Sequence, residues 1–312
     1  MTKHQKQNDK DQYTETQRVA QGIRRRVLEH TINTNGGYLS QACSSAEIFA
    51  TLYTKAMNIG PSIAPMIPPE FSGVPGPDNL NPYTGYAYNG PKAQNLDRFF
   101  ISPVQYATVL YATLVEVNRM AAEGLAMFNK DGSTVEMIGA EHSPGHEITA
   151  GSLGQALSQV IGISLARKLN CDSGINWIFM SDGEFQIGQT WEAFEIMKFH
   201  KVDNIRIIVD VNGQQADGAM VEVLDIEPLE ERLEAFGAHV FRVDGHDILH
   251  LNDAMNFKPK DQPLVILADT DHCRGIPLLK SRRPKLHYVR FQDQIEKQAY
   301  IELQDEWVRT KG

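Results

Sequence analysis

Cysteine is scarce in this chain of 312 residues, and its three cysteines, Cys43, Cys171 and Cys273, stand far apart. They form neither the disulfide framework of a small secreted domain nor a clustered metal motif, so we interpret them as free thiols in a reducing compartment. The chain also lacks a run of about 18 consecutive apolar residues, which a membrane-spanning helix requires. Its polar start, MTKHQKQNDKDQYTE, has no apolar centre of the kind found in secretory signals. These absences predict a soluble, cytoplasmic protein.

Positive charge is not in excess, since 30 Lys and Arg stand against 39 Asp and Glu and give a net charge of −9. That balance argues against a general surface for nucleic acid or anionic membrane. The length suffices for one large α/β domain with a substantial core. We therefore expect a disordered N-terminal tail over residues 1–14 and a single domain over residues 15–312.

Residues 58–95 show no hydrophobic period and hold eight of the fifteen prolines, together with five glycines and several tyrosines. This composition predicts a long loop, too long to serve only as a connection. Two interpretations remain open: a rim over a functional site, or an arm that contacts another subunit.

The stretch from residue 175 to residue 218 predicts a strand, a turn, a helix and a second strand. INWIFM and IRIIVD are short apolar runs rich in β-branched residues, and WEAFEIMKFHK between them has helical spacing. Ligands of open parallel α/β sheets lie just outside the carboxyl ends of the strands. Asp182 and Asn212, which follow the two predicted strands, should therefore lie side by side.

That pair suits a hard cation that holds a phosphate. Mg²⁺ prefers an octahedron of oxygen ligands, and Asp182, Asn212 and a carbonyl from the following turn at Gln214 could supply three of them. Gly183 has no Cβ to keep a diphosphate away from the backbone. Asp-Gly and Asn-Gly are also common turn formers, so the spacing alone leaves an ordinary pair of turns open.

The same stretch resembles the thiamine diphosphate motif of transketolases, which is Gly-Asp-Gly, a helix, and Asn-Gly about thirty residues further on; Ser181 replaces the first glycine here. Residues 151–168 and 227–247 also resemble transketolase segments. The resemblance implies a doubly wound, mostly parallel sheet with helices on both faces, and thiamine diphosphate bound with Mg²⁺. It implies the following cofactor-binding residues: Gly151, Ser152, Leu153, Gly183, Glu184, Asn212, Gln105 and His287.

Transketolases carry active-site histidines, and the resemblance places His287, Gln105 and Tyr38 at such positions as catalytic candidates. His287 matches with an offset of one residue, whereas Gln105 and Tyr38 stand where the family has histidine. Glutamine can donate a hydrogen bond to phosphate but cannot carry charge. Ile187 replaces a glutamate of the family's acidic network, of which Glu192 is retained. These departures suggest a specialised donor, such as a 2-oxo acid.

Complete transketolases continue into a second α/β domain whose glutamate hydrogen-bonds the cofactor's aminopyrimidine. The resemblance therefore implies one subunit of a split enzyme, active with a partner that carries the pyrimidine-binding and C-terminal domains, as an α2β2 heterotetramer. The expected reaction moves a two-carbon ketol or acyl unit from a donor ketone to an acceptor aldehyde. Two alternatives remain: a subunit of a 2-oxo acid decarboxylase or dehydrogenase, suggested by GGYLSQACSSAEI, and a catalytically degenerate cofactor-binding or scaffold subunit.

Overall fold

The structure, a computed structural model, describes residues 3–309 and the side chains of residues 13–309. Its strands are β1 Gly36–Gly37, β2 Arg98–Ile101, β3 Asn176–Ser181, β4 Ile205–Val211, β5 Gln214–Gln215, β6 Gly218–Ala219, β7 His239–Asp244, β8 Leu264–Asp269 and β9 Val289–Arg290. Its α-helices are α1 Lys3–Thr34, α2 Leu39–Thr51, α3 Ala107–Glu116, α4 Ala122–Leu125, α5 Ala156–Leu169, α6 Gly188–His200, α7 Met220–Val223, α8 Leu229–Ala235, α9 Ile248–Met255 and α10 Gln294–Arg309.

Five of these strands form one parallel sheet in the order β2-β3-β4-β8-β7. Strand β4 lies at its centre, where Asp210 is in register with Ser181 of β3 and with Ala268 of β8. The predicted α/β class and the predicted parallel sheet are confirmed. Because β3 and β4 are neighbours, the turns that follow them meet at one edge.

Alternate residues of the strands enter two separate hydrophobic cores. Phe179 and Ile266 face a core formed with α1, α2, α3 and α9. Ile178 and Val265, their neighbours in sequence, face a core formed with α5, α6 and α8. Successive side chains of a strand point to opposite faces of the sheet. When both faces are covered, each strand is therefore a continuous run of apolar residues in the sequence. This explains the unbroken runs INWIFM and IRIIVD, and it confirms helices on both faces.

Helix α1 begins at Lys3, so residues 3–14, which the sequence suggests are a disordered tail, are helical; residues 1–2 lie outside the described part. Residues 3–14, KHQKQNDKDQYT, carry no apolar periodicity, which is why the sequence pattern predicts no helix there. Within residues 3–309, no helix combines the length and the apolar character needed to cross a membrane.

The proline-rich loop over residues 58–95 contains a short 3-10 helix, Gly85–Asn89, but no α-helix or β-strand. It is nevertheless packed against the domain. Tyr88 is fully buried and donates a hydrogen bond to the Pro65 carbonyl oxygen at 2.8 Å. The Gly85 backbone N–H donates to the Glu141 carbonyl oxygen at 2.7 Å. The loop is thus held by the residues around 141–145.

Candidate functional site

Asp182 is a buried carboxylate at the carboxyl end of β3. Its oxygens accept hydrogen bonds from the backbone N–H groups of Gly183 and Gly213, both at 2.8 Å. Burial, together with the nearby Asp210 carboxylate, raises the pKa of Asp182 to about 8. Among residues 13–309, Asp182 forms no ion pair with a cationic side chain. A buried anion without a counter-charge is costly, so the position favours a bound cation.

Asn212, just beyond the end of β4, is held in one orientation by its neighbours. Its Nδ2 donates to Tyr106 Oη at 3.0 Å and to Asp210 Oδ2 at 3.1 Å. The two acceptors fix which end of the amide is oxygen. Oδ1 accepts from the Gln214 backbone N–H at 2.9 Å and keeps a second lone pair for a ligand.

Asp210 anchors this arrangement. Its fully buried carboxylate accepts hydrogen bonds from Ser44 Oγ at 2.5 Å, Tyr106 Oη at 2.7 Å and Thr270 Oγ1 at 2.5 Å, in addition to Asn212 Nδ2. Four neutral donors stabilise its charge. Asp210 is not among the predicted site residues, although an acidic residue at the end of the apolar run IRIIVD was a visible signal.

The turns after β3 and β4 border a cavity of about 150 Å³, which we call the strand-end cavity. Seven of the predicted site residues line it: Gln105, Leu153, Asp182, Gly183, Asn212, Gln214 and His287. A Cβ built on Gly183 would meet no atom within 4 Å, so the backbone there is open to a ligand. The structure thus brings the two strand ends together as predicted.

Three buried polar atoms on the wall of the strand-end cavity have no hydrogen-bond partner among residues 13–309: Gln105 Oε1, Gln214 Oε1 and His272 Nε2. Leaving such an atom unpaired costs about 1–3 kcal/mol. Buried polar groups of native proteins are nearly always satisfied by protein, water or ligand. Their convergence on one cavity is what a polar ligand site requires.

Comparison with known proteins identifies the family. Residues 83–287 match the model of the transketolase thiamine diphosphate binding domain. The chain belongs to the transketolase family. It is 36% identical over 279 residues to a transketolase family protein of Sinorhizobium fredii, covering 88% of this chain and 90% of that protein. It is 28% identical to an apulose-4-phosphate transketolase subunit of Actinobacillus succinogenes, covering 94% of this chain and 98% of that protein.

A solved structure supports the fold independently. The crystal structure of a Campylobacter jejuni transketolase superposes with a TM-score of 0.73 at 21% identity, covering 94% of this chain and 47% of that chain. The present chain therefore spans about half the length of that transketolase. At this identity, the likeness concerns the fold.

Four residues that the resemblance to transketolases assigned to the site do not line the strand-end cavity. Glu184 is fully buried and accepts hydrogen bonds from Ser102 Oγ and from the N–H groups of Gly154 and Ser181, both at 3.0 Å. Its carboxylate therefore joins the ends of β2 and β3 to the turn before α5. The other three are Tyr38, Gly151 and Ser152.

Tyr38 instead packs against a residue that does line the cavity. The pairing of Gly36 and Gly37 with Arg290 and Val289 brings the start of α2 beside the 286–288 segment. There the Tyr38 ring meets the His287 ring edge-on, with centroids 5.6 Å apart. Gln41 Nε2 donates to the His287 carbonyl oxygen at 3.1 Å. Burial lowers the pKa of His287, which favours the neutral imidazole.

His272 lines the strand-end cavity and is not among the predicted site residues. Its Nδ1 lies 3.2 Å from the Asn212 carbonyl oxygen and so carries the proton of that hydrogen bond. The unpaired Nε2 is then the acceptor nitrogen. Burial lowers the pKa of His272 as well. The segment TDHCRG carries no motif that would have marked this histidine, because its place depends on β8 lying next to β4.

Ile187 stands at the position where transketolases carry a glutamate of their acidic network, and here it makes an apolar contact. The Ile187 side chain lies where a Cβ on Gly154 would approach it to 2.9 Å, and Gly154 has a φ of +80°. Glu192, the retained acid, is exposed on α6. Isoleucine at this position therefore packs the turn before α5.

Proposed function

We propose that this chain is the diphosphate- and Mg²⁺-binding subunit of a two-component transketolase. It would work with a second polypeptide to move a two-carbon unit from a donor ketone to an acceptor aldehyde. The observation that carries the proposal is the side-by-side placement of Asp182 and Asn212 at the edge of the sheet, beside an open glycine and three unpaired polar atoms.

The residues present fit a magnesium diphosphate. Asp182 and the Asn212 amide oxygen are the hard oxygen ligands that Mg²⁺ prefers, and the turn at Gln214 could add a backbone carbonyl. Gln105 and His287 face the same space and could hydrogen-bond diphosphate oxygens. When bound, thiamine diphosphate supplies the carbon nucleophile and the electron sink for breaking the carbon–carbon bond. The residues of this chain would hold and orient it.

Two observations support a partner subunit. The strand-end cavity, about 150 Å³, is smaller than the roughly 300 Å³ at which pockets for small ligands begin. It could enclose the diphosphate end of the cofactor while leaving the remainder to another surface. One relative, covered over 98% of its length, is named as a transketolase subunit. The pyrimidine-binding domain with its glutamate would then lie on a second chain, with α2β2 as the expected assembly.

The side chains around the cavity favour a specialised donor. Tyr38 and Gln105 stand where transketolases have histidines, and burial raises the pKa of the Tyr38 hydroxyl, so it cannot accept a proton near neutral pH. Of the three predicted catalytic residues, His287 is then the one that carries an imidazole. A donor that needs fewer proton transfers from this chain, such as a 2-oxo acid, fits this arrangement. Release of carbon dioxide from the donor would identify that chemistry, whereas turnover of xylulose 5-phosphate at ordinary rates would exclude a specialised donor.

Calorimetric titration of thiamine diphosphate, with and without Mg²⁺, tests the cofactor site on the chain together with its partner. We expect Mg²⁺-dependent binding that is lost in Asp182→Ala. The matched control is Asp131→Ala, which removes an exposed carboxylate outside the cavity. Binding that does not depend on Mg²⁺, or that survives in Asp182→Ala, would refute the assignment of the metal site.

A further inference from the structure

A second cavity, of about 460 Å³, opens between α1, α10, the start of α9 and the loop after β8. Helix α1 contributes Tyr13, Gln17, Gln21 and Arg24, which are spaced by four, four and three residues and so share one face of the helix. This face of α1 is polar, whereas the neighbouring face of the same helix packs into the hydrophobic core. We call this space the arginine cavity because Arg24, Arg25 and Arg274 all line it.

The charge of Arg24 is already balanced. Its Nη1 donates to Glu47 Oε1 at 2.7 Å and its Nη2 to the Cys43 carbonyl oxygen at 3.0 Å. His246 Nδ1 lies 3.0 Å from Glu47 Oε2, while its Nε2 accepts the Asp271 backbone N–H at 2.8 Å. A histidine that accepts at one nitrogen is neutral. This buried group therefore adds no net charge to the cavity.

Arg25 and Arg274 give the arginine cavity a positive charge that no nearby acid fully balances. The acid near Arg25 is Glu116, whose Oε1 is 3.9 Å away and which is already bonded by Arg18 and Arg26. Arg274 is exposed and forms no ion pair among residues 13–309. On a chain with a net charge of −9, two guanidinium groups at one concave surface make a local site for an anion.

Two buried donors on the cavity wall also lack acceptors. Arg24 Nε and Arg25 Nε are both buried without a hydrogen-bond partner in the described part of the chain, and the Arg24 side chain is only 8% exposed. Gly275 lines the cavity beside Arg24, where a Cβ would lie 3.7 Å from Nε. A side chain at residue 275 would therefore lie against the Arg24 side chain. A buried guanidinium N–H without an acceptor is unfavourable and favours an incoming oxygen.

We propose that the arginine cavity binds a phosphate group, either as free phosphate or as the phosphate ester of a small metabolite. Guanidinium groups match phosphate geometry and hold it by charge-assisted hydrogen bonds. Arg25 and Arg274 supply the charge, and the Gln17 and Gln21 amides add neutral donors. Tyr13 and Trp307 offer aromatic surface to the carbon part of an ester. The site is separate from the strand-end cavity and does not depend on thiamine diphosphate.

The test is calorimetric titration of the full chain with inorganic phosphate and, separately, with glycerol 3-phosphate, in EDTA and at constant ionic strength. The double variant Arg25→Gln/Arg274→Gln is expected to bind roughly tenfold or more weakly than the parent chain, because it loses two charge-assisted contacts. The charge-matched control Lys130→Gln/Lys258→Gln, at exposed positions outside the cavity, should bind as the parent does. Circular dichroism and the melting temperature establish that each variant is folded.

Phosphate bound at the strand-end cavity would imitate this result, so Gln105→Ala, which removes a proposed phosphate donor from that cavity, is titrated in parallel. Binding that weakens in the arginine double variant by much more than in Gln105→Ala supports the proposal. Equal binding in the arginine double variant and the parent chain, or loss of binding in Gln105→Ala, overturns it. Tighter binding of glycerol 3-phosphate than of phosphate identifies an ester as the ligand, and the reverse order identifies free phosphate.

Discussion

Replacing Tyr106 by phenylalanine should reveal how much the Asp210 cluster contributes to stability. The substitution removes a single hydroxyl, which donates to Asp210 Oδ2 at 2.7 Å and accepts from Asn212 Nδ2 at 3.0 Å. Burial and the neighbouring Asp210 charge raise the pKa of Tyr106 well above its usual value, so the hydroxyl stays protonated and donates. The ring keeps its place against Phe179, with centroids 4.8 Å apart.

The charge of the acceptor sets the expected magnitude. A hydrogen bond to a charged group contributes about 1.5–3 kcal/mol, against about 1 kcal/mol for a neutral one. Asp210 and Asn212 each keep other partners after the change, so no buried atom is left wholly unpaired. We therefore expect Tyr106→Phe to lower the free energy of unfolding by about 2 kcal/mol. Tyr111→Phe is the matched control, because Tyr111 is equally buried and donates at 2.7 Å to a neutral carbonyl oxygen, that of Glu136.

Urea unfolding of the parent chain and both variants measures the difference. The reasoning is refuted if Tyr106→Phe costs no more than Tyr111→Phe. A second readout concerns the proposed cofactor site: Asn212 loses one of the two acceptors that orient its amide, so Mg²⁺-dependent binding of thiamine diphosphate should weaken in Tyr106→Phe and not in Tyr111→Phe. Equal cofactor affinity in the two variants would show that Asp210 alone orients Asn212.

Two further predictions concern packing around the proline-rich loop. Burial lowers the pKa of His146 to about 4, so the unfolded chain binds this proton first as the pH falls below about 6.5. The free energy of unfolding of the parent chain, taken relative to that of His146→Gln, should therefore fall by about 2 kcal/mol between about pH 7 and pH 5, whereas the same difference for the exposed control His250→Gln should not change. A parent-to-variant difference that stays constant with pH in His146→Gln would contradict this. A Cβ on Gly85 would lie 1.7 Å from the Ser143 carbonyl oxygen, so Gly85→Ala should destabilise the chain by about 2 kcal/mol or more. Gly162→Ala, in an open helical position, should instead stabilise it by about 0.5–1 kcal/mol, and equal effects of the two substitutions would count against the packed loop.

Local patterns were enough to predict the central unit of the fold. The apolar runs at 175–180 and 205–210 correspond to β3 and β4, and the helical spacing between them corresponds to α6. The two strands are buried on both faces of the sheet, and this burial requires the continuous apolar runs that predict them. The N-terminal part of α1 has no hydrophobic periodicity, so this pattern alone does not predict its helix.

The site was predictable only where it depends on neighbouring strands that are also neighbours in sequence. Asp182 and Asn212 follow β3 and β4, which form one strand–helix–strand unit, so their meeting follows from the geometry of a parallel sheet. His272 reaches Asn212 only because β8 pairs with β4, although about fifty residues and the strands β5, β6 and β7 separate the two in the chain. Tyr106 follows β2, which lies on the other side of β3 from β4, and its hydroxyl still contacts Asp210. Such contacts depend on strand order, which hydrophobic periodicity does not encode.

The contrast between two buried carboxylates indicates where a cation would bind. Asp210 and Asp182 are both buried at the same edge of the sheet. Asp210 receives four side-chain donors, which leave little of its charge unsatisfied, and so acts as an acceptor for the amide of Asn212. Asp182 receives two backbone N–H groups, and its pKa is raised to about 8. Asp182 therefore keeps more unsatisfied negative charge than Asp210, and on the proposed function a divalent cation would lie on the side of Asn212 that faces Asp182.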